Sequence, residues 1–217
     1  MRALAIELLQ FGLIVIAFVT LLVVVDPFGV APVFVAIAKD LEATERRQTI
    51  LRAVAIAFAV TLFFLLAGRA LLSYLGVTVY AFAISGGILL FATALPMLFG
   101  VRPALQSPDR EECRTASEDI AIFPLAIPLL SGPGAIATIL LLTDQAGADP
   151  RRLGVLALAT GVVYLVAFWV LNIGEWLMRH LGEGRVHIIS RVLGIVLAAL
   201  AVQYLLNGIT GYRRARI

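Results

Sequence analysis

The chain has 217 residues, 61% of them apolar and 14% charged, with a formal net charge of +3 and a mean hydropathy of +1.01. Soluble domains hold about 45–50% apolar and about 25% charged residues, so this composition excludes a water-soluble domain and marks an integral membrane protein. Arginines flanking membrane spans account for the small positive charge without a nucleic-acid partner. The single cysteine, Cys113, excludes an internal disulfide and a cysteine-based zinc site.

Crossing roughly 30 Å of hydrocarbon takes about 20 helical residues. Six apolar runs reach that length, at 8–38, 50–75, 79–100, 120–143, 153–178 and 188–210. The first has one arginine before it and no small-residue cleavage site after it, and reads as a retained span. It is also too long for one straight crossing. Asp26-Pro27-Phe28-Gly29-Val30-Ala31-Pro32 interrupts it near its middle. Charged residues of both signs follow from Lys39 to Gln48, where Thr44 lacks the acidic partner of a full capping box because Arg47 stands three residues on. Residues 101–119 form the longest polar linker and divide the single membrane domain, 1–217, into 1–100 and 120–217. The fourth run is interrupted at Ser131-Gly132-Pro133-Gly134, again near its middle. Gly147–Arg152 and Gly182–Gly184 read as turns.

The two halves are in step. A shift of 106 residues lays Pro27 on Pro133, Gly68 on Gly174 and Gly76 on Gly182, and one residue more lays Gly87 on Gly194. Three spans per copy is an odd number, so the second copy enters the membrane from the opposite side. The expected fold is all-α, with six transmembrane helices as two inverted three-helix repeats, the first helix of each broken. Ten Lys and Arg residues fall on one side and seven on the other, which places both termini outside.

An ionisable residue at half depth is costly, and by default it marks a functional site. Asp26-Pro27 reads as an N-cap followed by proline at the first helical position. Ser131-Gly132-Pro133 has the same grammar without the charge. Each break then starts a half-helix whose positive end points into the protein, suited to an anionic group. The expected site holds a substrate carboxylate on the Ser131 hydroxyl and the Gly132–Gly134 backbone, with Asp26 facing the ammonium of the same zwitterion or taking up a proton. The plainer alternative is two kinks, with Asp26 capping only its own helix. Pro124 and Pro128 free upstream carbonyls that could face a cation, or simply bend the helix. Asn172 is the best functional candidate among the other polar residues in spans. Arg69 and Glu175 align at the 106 offset, but inverted copies put them at opposite faces, so they should not touch and each should snorkel or pair locally. His180 and His187 lie at a turn without an acidic cluster, so no metal site is expected.

These stretches, DPFGVAPVF at 26–34, PLAIPLLSGPGAIAT at 124–138 and ISRVLGIVLAALAVQYLLNGI at 189–209, resemble the MarC family of bacterial inner-membrane proteins over nearly the whole chain. The resemblance implies six spans, kinship with the LysE superfamily of amino-acid exporters, and movement of small neutral amino acids such as alanine and glycine. The motif positions carried over are Asp26, Pro27, Gly29, Pro32, Pro128, Gly132, Pro133 and Gly134. Many relatives have a small polar residue near position 30, where this chain has Val30 and Ala31, so no side-chain contact is expected there.

The expected function is a secondary transporter of small neutral amino acids in the bacterial inner membrane, with no cofactor. Its partners are the bilayer and the solute, with proton or Na+ coupling and a homo-oligomeric state left open. An enzyme is not expected, because the spans offer Asp26 no second acid, buried histidine or cysteine. A channel, or a structural or regulatory membrane protein that moves nothing, is the alternative.

Overall fold

In the computed structural model, residues 2–39, 41–99, 121–147 and 149–214 are described, without the side chains of 2–11, 13, 123, 124, 128, 181–187, 189 and 190. Among the described residues every element is helical and no strand occurs. The linker at 101–119, with Cys113, lies outside them.

The first run forms α1 (Arg2–Val25) and α2 (Pro27–Ile37), split at Asp26. α3 (Ala43–Tyr74) begins seven residues before the apolar run at 50–75. Its start corrects the reading of Thr44 with Arg47: Glu42 precedes the helix, and its N–H donates to Glu45 Oε2 at 3.4 Å. Gly76, at φ 69, turns the chain into α4 (Val79–Phe99). The fourth run is two pieces. A π-helix, α5 (Ala121–Leu130), precedes the break, and α6 (Pro133–Ala146) follows it. Gly147, at φ 71, makes the next turn. α7 (Pro150–Asn172) starts at Asp149, whose carboxylate accepts from Arg151 N–H at 3.0 Å.

The expected turn at Gly182–Gly184 is absent. The chain turns at Ile173 instead, and α8 runs unbroken from Gly174 to Arg214. Glycine weakens a helix by only about 1 kcal/mol, so three residues holding two glycines do not by themselves end one. At 41 residues and about 1.5 Å per residue, α8 is far longer than a bilayer is thick. Its spanning part is Arg191–Arg214. Among the described residues, five helices are long and apolar enough to cross a membrane: Ile14–Ile37, Ala43–Tyr74, Val79–Phe99, Pro150–Asn172 and Arg191–Arg214. The interrupted pair α5 and α6 has 10 and 14 residues, so neither piece reaches that length alone.

Lipid tails are as apolar as leucine, so helices associate in a bilayer by close packing. Glycines provide the closest approaches here. A Cβ on Gly87 would lie 2.8 Å from the Ala201 carbonyl oxygen and 3.2 Å from Leu205 N. Gly194 looks back across the same pair, with Ala94 O and Leu98 N each at 3.5 Å. α4 and the spanning part of α8 are therefore in backbone contact at two levels. Gly68 on α3 faces Leu140 of α6, and Gly174 faces Ala31 and Val35 of α2. α7 packs on α1, α2 and α3, and α3 packs on α5, α6 and α7. The core between them holds Val25, Phe34, Ala57, Leu125, Leu130, Ile139, Val163 and Tyr164.

Arg69 and Glu175 do not pair with each other. Arg69 meets Asp144 of α6 at 3.4 Å. Glu175 meets Arg46 of α3 and, at 3.4 Å, its neighbour Arg179. Arg46 also donates to the Ala38 carbonyl at the end of α2, at 3.2 Å.

Gly87→Val should push the α4 and α8 backbones apart and destabilise the protein by about 1–3 kcal/mol. Gly154→Ala, in open space on α7, should change stability by no more than about 1 kcal/mol. Thermal melts in detergent check the pair, and equal melting temperatures would contradict the contact.

Candidate functional site

Asp26 sits midway along the span Ile14–Ile37 and is buried, at 8% exposure. It is the one non-glycine residue at positive φ among those described, at φ 43 and ψ 62. Such a conformation costs of order 1–3 kcal/mol and persists only where the surroundings enforce it. Two local features do so. Pro27 has no N–H to offer the carbonyl of Val23, which ends the regular ladder of α1. Gly29 N–H turns to Asp26 and donates to its Oδ1 at 3.1 Å. Gly29 must be glycine for this, because a Cβ there would overlap the carboxylate. Asp26 thus caps α2, as expected. Pro32 lies inside α2 and removes one more backbone donor from the same half-helix.

The second break is built differently. Ser131 is buried, and its N–H and its hydroxyl both donate to the Ala126 carbonyl, at 2.9 and 3.0 Å. Its proton is therefore directed back along α5, away from the amides of α6. Gly132 is the N-cap of α6, extended at φ −67 and ψ 172, and no side chain caps the helix. The first-turn N–H groups of α6 thus have no side-chain acceptor among the described residues, the condition in which a helix N-terminus attracts an anion. Of the two half-helix starts, one is neutralised by its own carboxylate and the other is open.

The structure brings the two breaks side by side. α1 packs on α6 and α2 packs on α5. A Cβ on Gly134 would lie 3.4 Å from Val24 Cγ1, two residues before Asp26, and 2.9 Å from Leu90 Cγ. Val24 and Leu90 face Gly134, and Val25, Val30 and Leu130, next to the breaks, are buried apolar residues. An open cleft of about 430 Å³ lies elsewhere, at the end of α3. Pro128 lies on α5, and its side chain is outside those described. Asn172 is not part of the cluster. It closes α7 and donates to its own Phe168 carbonyl at 2.7 Å, about 12 Å of helix rise from Tyr164.

Tyr164 is the site residue that sequence reasoning missed. It is the largest fully buried side chain among the described residues, and its hydroxyl donates at 3.2 Å to the carbonyl of Leu130, the last residue of α5. The same hydroxyl lies 2.7 Å from Thr61 Oγ1, which lies 2.9 Å from the Ala57 carbonyl. Two hydroxyl protons serve these three links. Ala57 lies inside α3 and its carbonyl keeps the helical ladder, whereas Leu130 faces the break. Thr61 donating to Tyr164, and Tyr164 to Leu130, meets the buried need best. The signal was present in sequence: a tyrosine deep in an apolar span needs a partner for its hydroxyl. Its counterpart at the 106 offset, Phe58, packs edge-on against it with ring centroids 6.0 Å apart.

Comparison with known proteins matches residues 11–212 to the model of the MarC family integral membrane proteins. A UPF0056 membrane protein of Aquifex aeolicus is 33% identical over 202 residues, 92% of this chain and 94% of the relative. The UPF0056 inner membrane protein YhgN of Escherichia coli K12 is 35% identical over 196 residues, 90% of this chain and 95% of the relative. A UPF0056 membrane protein of Buchnera aphidicola is 31% identical over 194 residues, 89% and 94% of the two chains. No solved structure matches.

Tyr164→Phe should leave the Leu130 carbonyl buried without its donor and cost about 1–3 kcal/mol. Thr61→Val should cost less, because Tyr164 keeps its bond to Leu130. Denaturation of the purified variants measures both, and a Tyr164→Phe protein as stable as the parent would contradict the assignment.

Proposed function

The chain belongs to the MarC family of integral membrane proteins, and we propose that it is a multi-pass inner-membrane carrier of small neutral amino acids or related solutes. The observation that carries this reading is the meeting of two helix interruptions in the middle of the spans, one with a buried carboxylate and the other with an uncapped helix start. A zwitterion fits that pair: its carboxylate on the first-turn amides of α6, its ammonium toward Asp26. A serine would cap α2 as well without the cost of a buried carboxylate, which favours a working site over a passive kink.

The packing supports two inverted three-span halves. Exchange α1 with α5, α2 with α6, α3 with α7 and α4 with α8. The pairs α3·α7 and α4·α8 map onto themselves, while α1·α7, α2·α7, α2·α8 and α1·α6 map onto α5·α3, α6·α3, α6·α4 and α5·α2. The slighter contacts α1·α8, α6·α7 and α7·α8 have no counterpart of similar extent among the described residues. The glycine contacts repeat at atomic level, since the Ala201 oxygen and Leu205 nitrogen at Gly87 answer to Ala94 and Leu98 at Gly194. Halves related in this way open a shared site to each side in turn by rocking. With ten cationic residues on one side and seven on the other, both termini lie outside. Proton coupling, where present, would run through Asp26.

Proteoliposomes loaded with alanine should exchange it for external labelled alanine with saturable kinetics, and Asp26→Asn should slow exchange at least about tenfold, the loss of one charge-assisted contact. Flux that never saturates would identify a channel. No flux across a panel of neutral amino acids would reject the carrier reading.

A further inference from the structure

We infer that the cleft between the end of α3 and α6 is a second site, one that binds a small zwitterion at the membrane rim. Its volume, about 430 Å³, falls within the roughly 300–1,000 Å³ of small-molecule sites. Leu72 and Val77 give it apolar wall, Ser73 and Thr78 give hydroxyls, and Arg69 and Asp144 stand in its lining as one cation and one anion. Arg69 Nη2 lies 3.4 Å from Asp144 Oδ1, and the two side chains are 47% and 35% exposed. A contact of that length between partly exposed side chains leaves guanidinium N–H donors and carboxylate lone pairs available to a ligand, with no other partner among the described residues.

That charge arrangement selects its ligand. A simple anion gains Arg69 but is repelled by Asp144, and a simple cation meets the reverse. A molecule carrying both an ammonium and an anionic oxygen group satisfies both by inserting into the pair. Helix ends reinforce the polarity. α3 closes at the cleft with its carbonyl end, which favours an ammonium. α4 opens at Val79, where Thr78 Oγ1 accepts from Ala81 N–H at 3.1 Å, and its positive end favours the anionic group. At the rim two sources offer this chemistry, a free amino acid and a phosphatidylethanolamine headgroup. As a loading site for solute the cleft rests on the carrier reading above; as a binding site it does not.

The test uses the full chain with Cys113→Ser and a reporter Ser73→Cys in the cleft, in phosphatidylglycerol nanodiscs. Maleimide labelling of the reporter should slow at least threefold with alanine, with phosphatidylethanolamine replacing part of the lipid, or with both. The arm that responds identifies the source. N-acetylalanine and alaninamide, each lacking one charge, should not protect. Arg69→Gln and Asp144→Asn should each abolish protection, and the exchanged pair Arg69→Asp with Asp144→Arg should restore it, which separates recognition from misfolding. Protection that persists in Asp26→Asn keeps this site distinct from the central one, so failed transport leaves it standing. No protection from either source, equal protection by N-acetylalanine, or protection unchanged in Arg69→Gln and Asp144→Asn would overturn the proposal.

Discussion

Inside a bilayer every backbone N–H and C=O needs a partner from the protein, and an interrupted helix leaves several without one. This chain interrupts two helices near their middles, and side chains of the surrounding fold supply some of the missing partners. At the first break the Asp26 carboxylate takes Gly29 N–H. At the second, Ser131 turns back on Ala126 while Tyr164 reaches across from α7 to hold Leu130. Remove these side chains and each break leaves unpaired polar groups among apolar ones.

α3 ties the two halves together at three levels. Near its start Arg46 meets Glu175, in its middle Thr61 meets Tyr164, and near its end Arg69 meets Asp144. The outer two are partly exposed ion pairs, worth little individually, while the middle one is fully buried. Arg46 also fastens the carbonyl end of α2, and Arg69 fastens the far end of α6. Both half-helices that leave the central breaks are thus gripped at their outer ends by the same helix. Between these points the halves meet where glycines receive large side chains, Leu140 at Gly68, Leu90 at Gly134 and Leu205 at Gly87.

Much of this could be read from the sequence. Charge and proline inside an apolar run located Asp26 and the start of α2. Proline and glycines located the start of α6. What escaped was set by distance along the chain. Nothing near Leu130 announces that a tyrosine 34 residues later will satisfy it. The direction of the Ser131 hydroxyl depends on α5 being a π-helix, which brings the Ala126 carbonyl under residue 131; an ordinary α-helical reading turns the hydroxyl toward α6. Gly182 and Gly184 read as a turn because glycine commonly ends helices, yet the chain passes through them helically. The partners of Arg69 and Glu175 lie on other elements, so their alignment could forbid a mutual pair but could not name Asp144 or Arg46.

The central claim is that the two interruptions lie against each other inside the membrane. It is tested most directly by cross-linking in native membranes, with Val24→Cys and Gly134→Cys in a Cys113→Ser chain. Their close approach predicts a rapid cross-link with a short bifunctional thiol reagent that crosses the bilayer. It also predicts slow modification of either cysteine by a membrane-impermeant reagent. Failure to cross-link, with both cysteines freely modified from the water, would place the breaks apart at the bilayer surface and contradict the account.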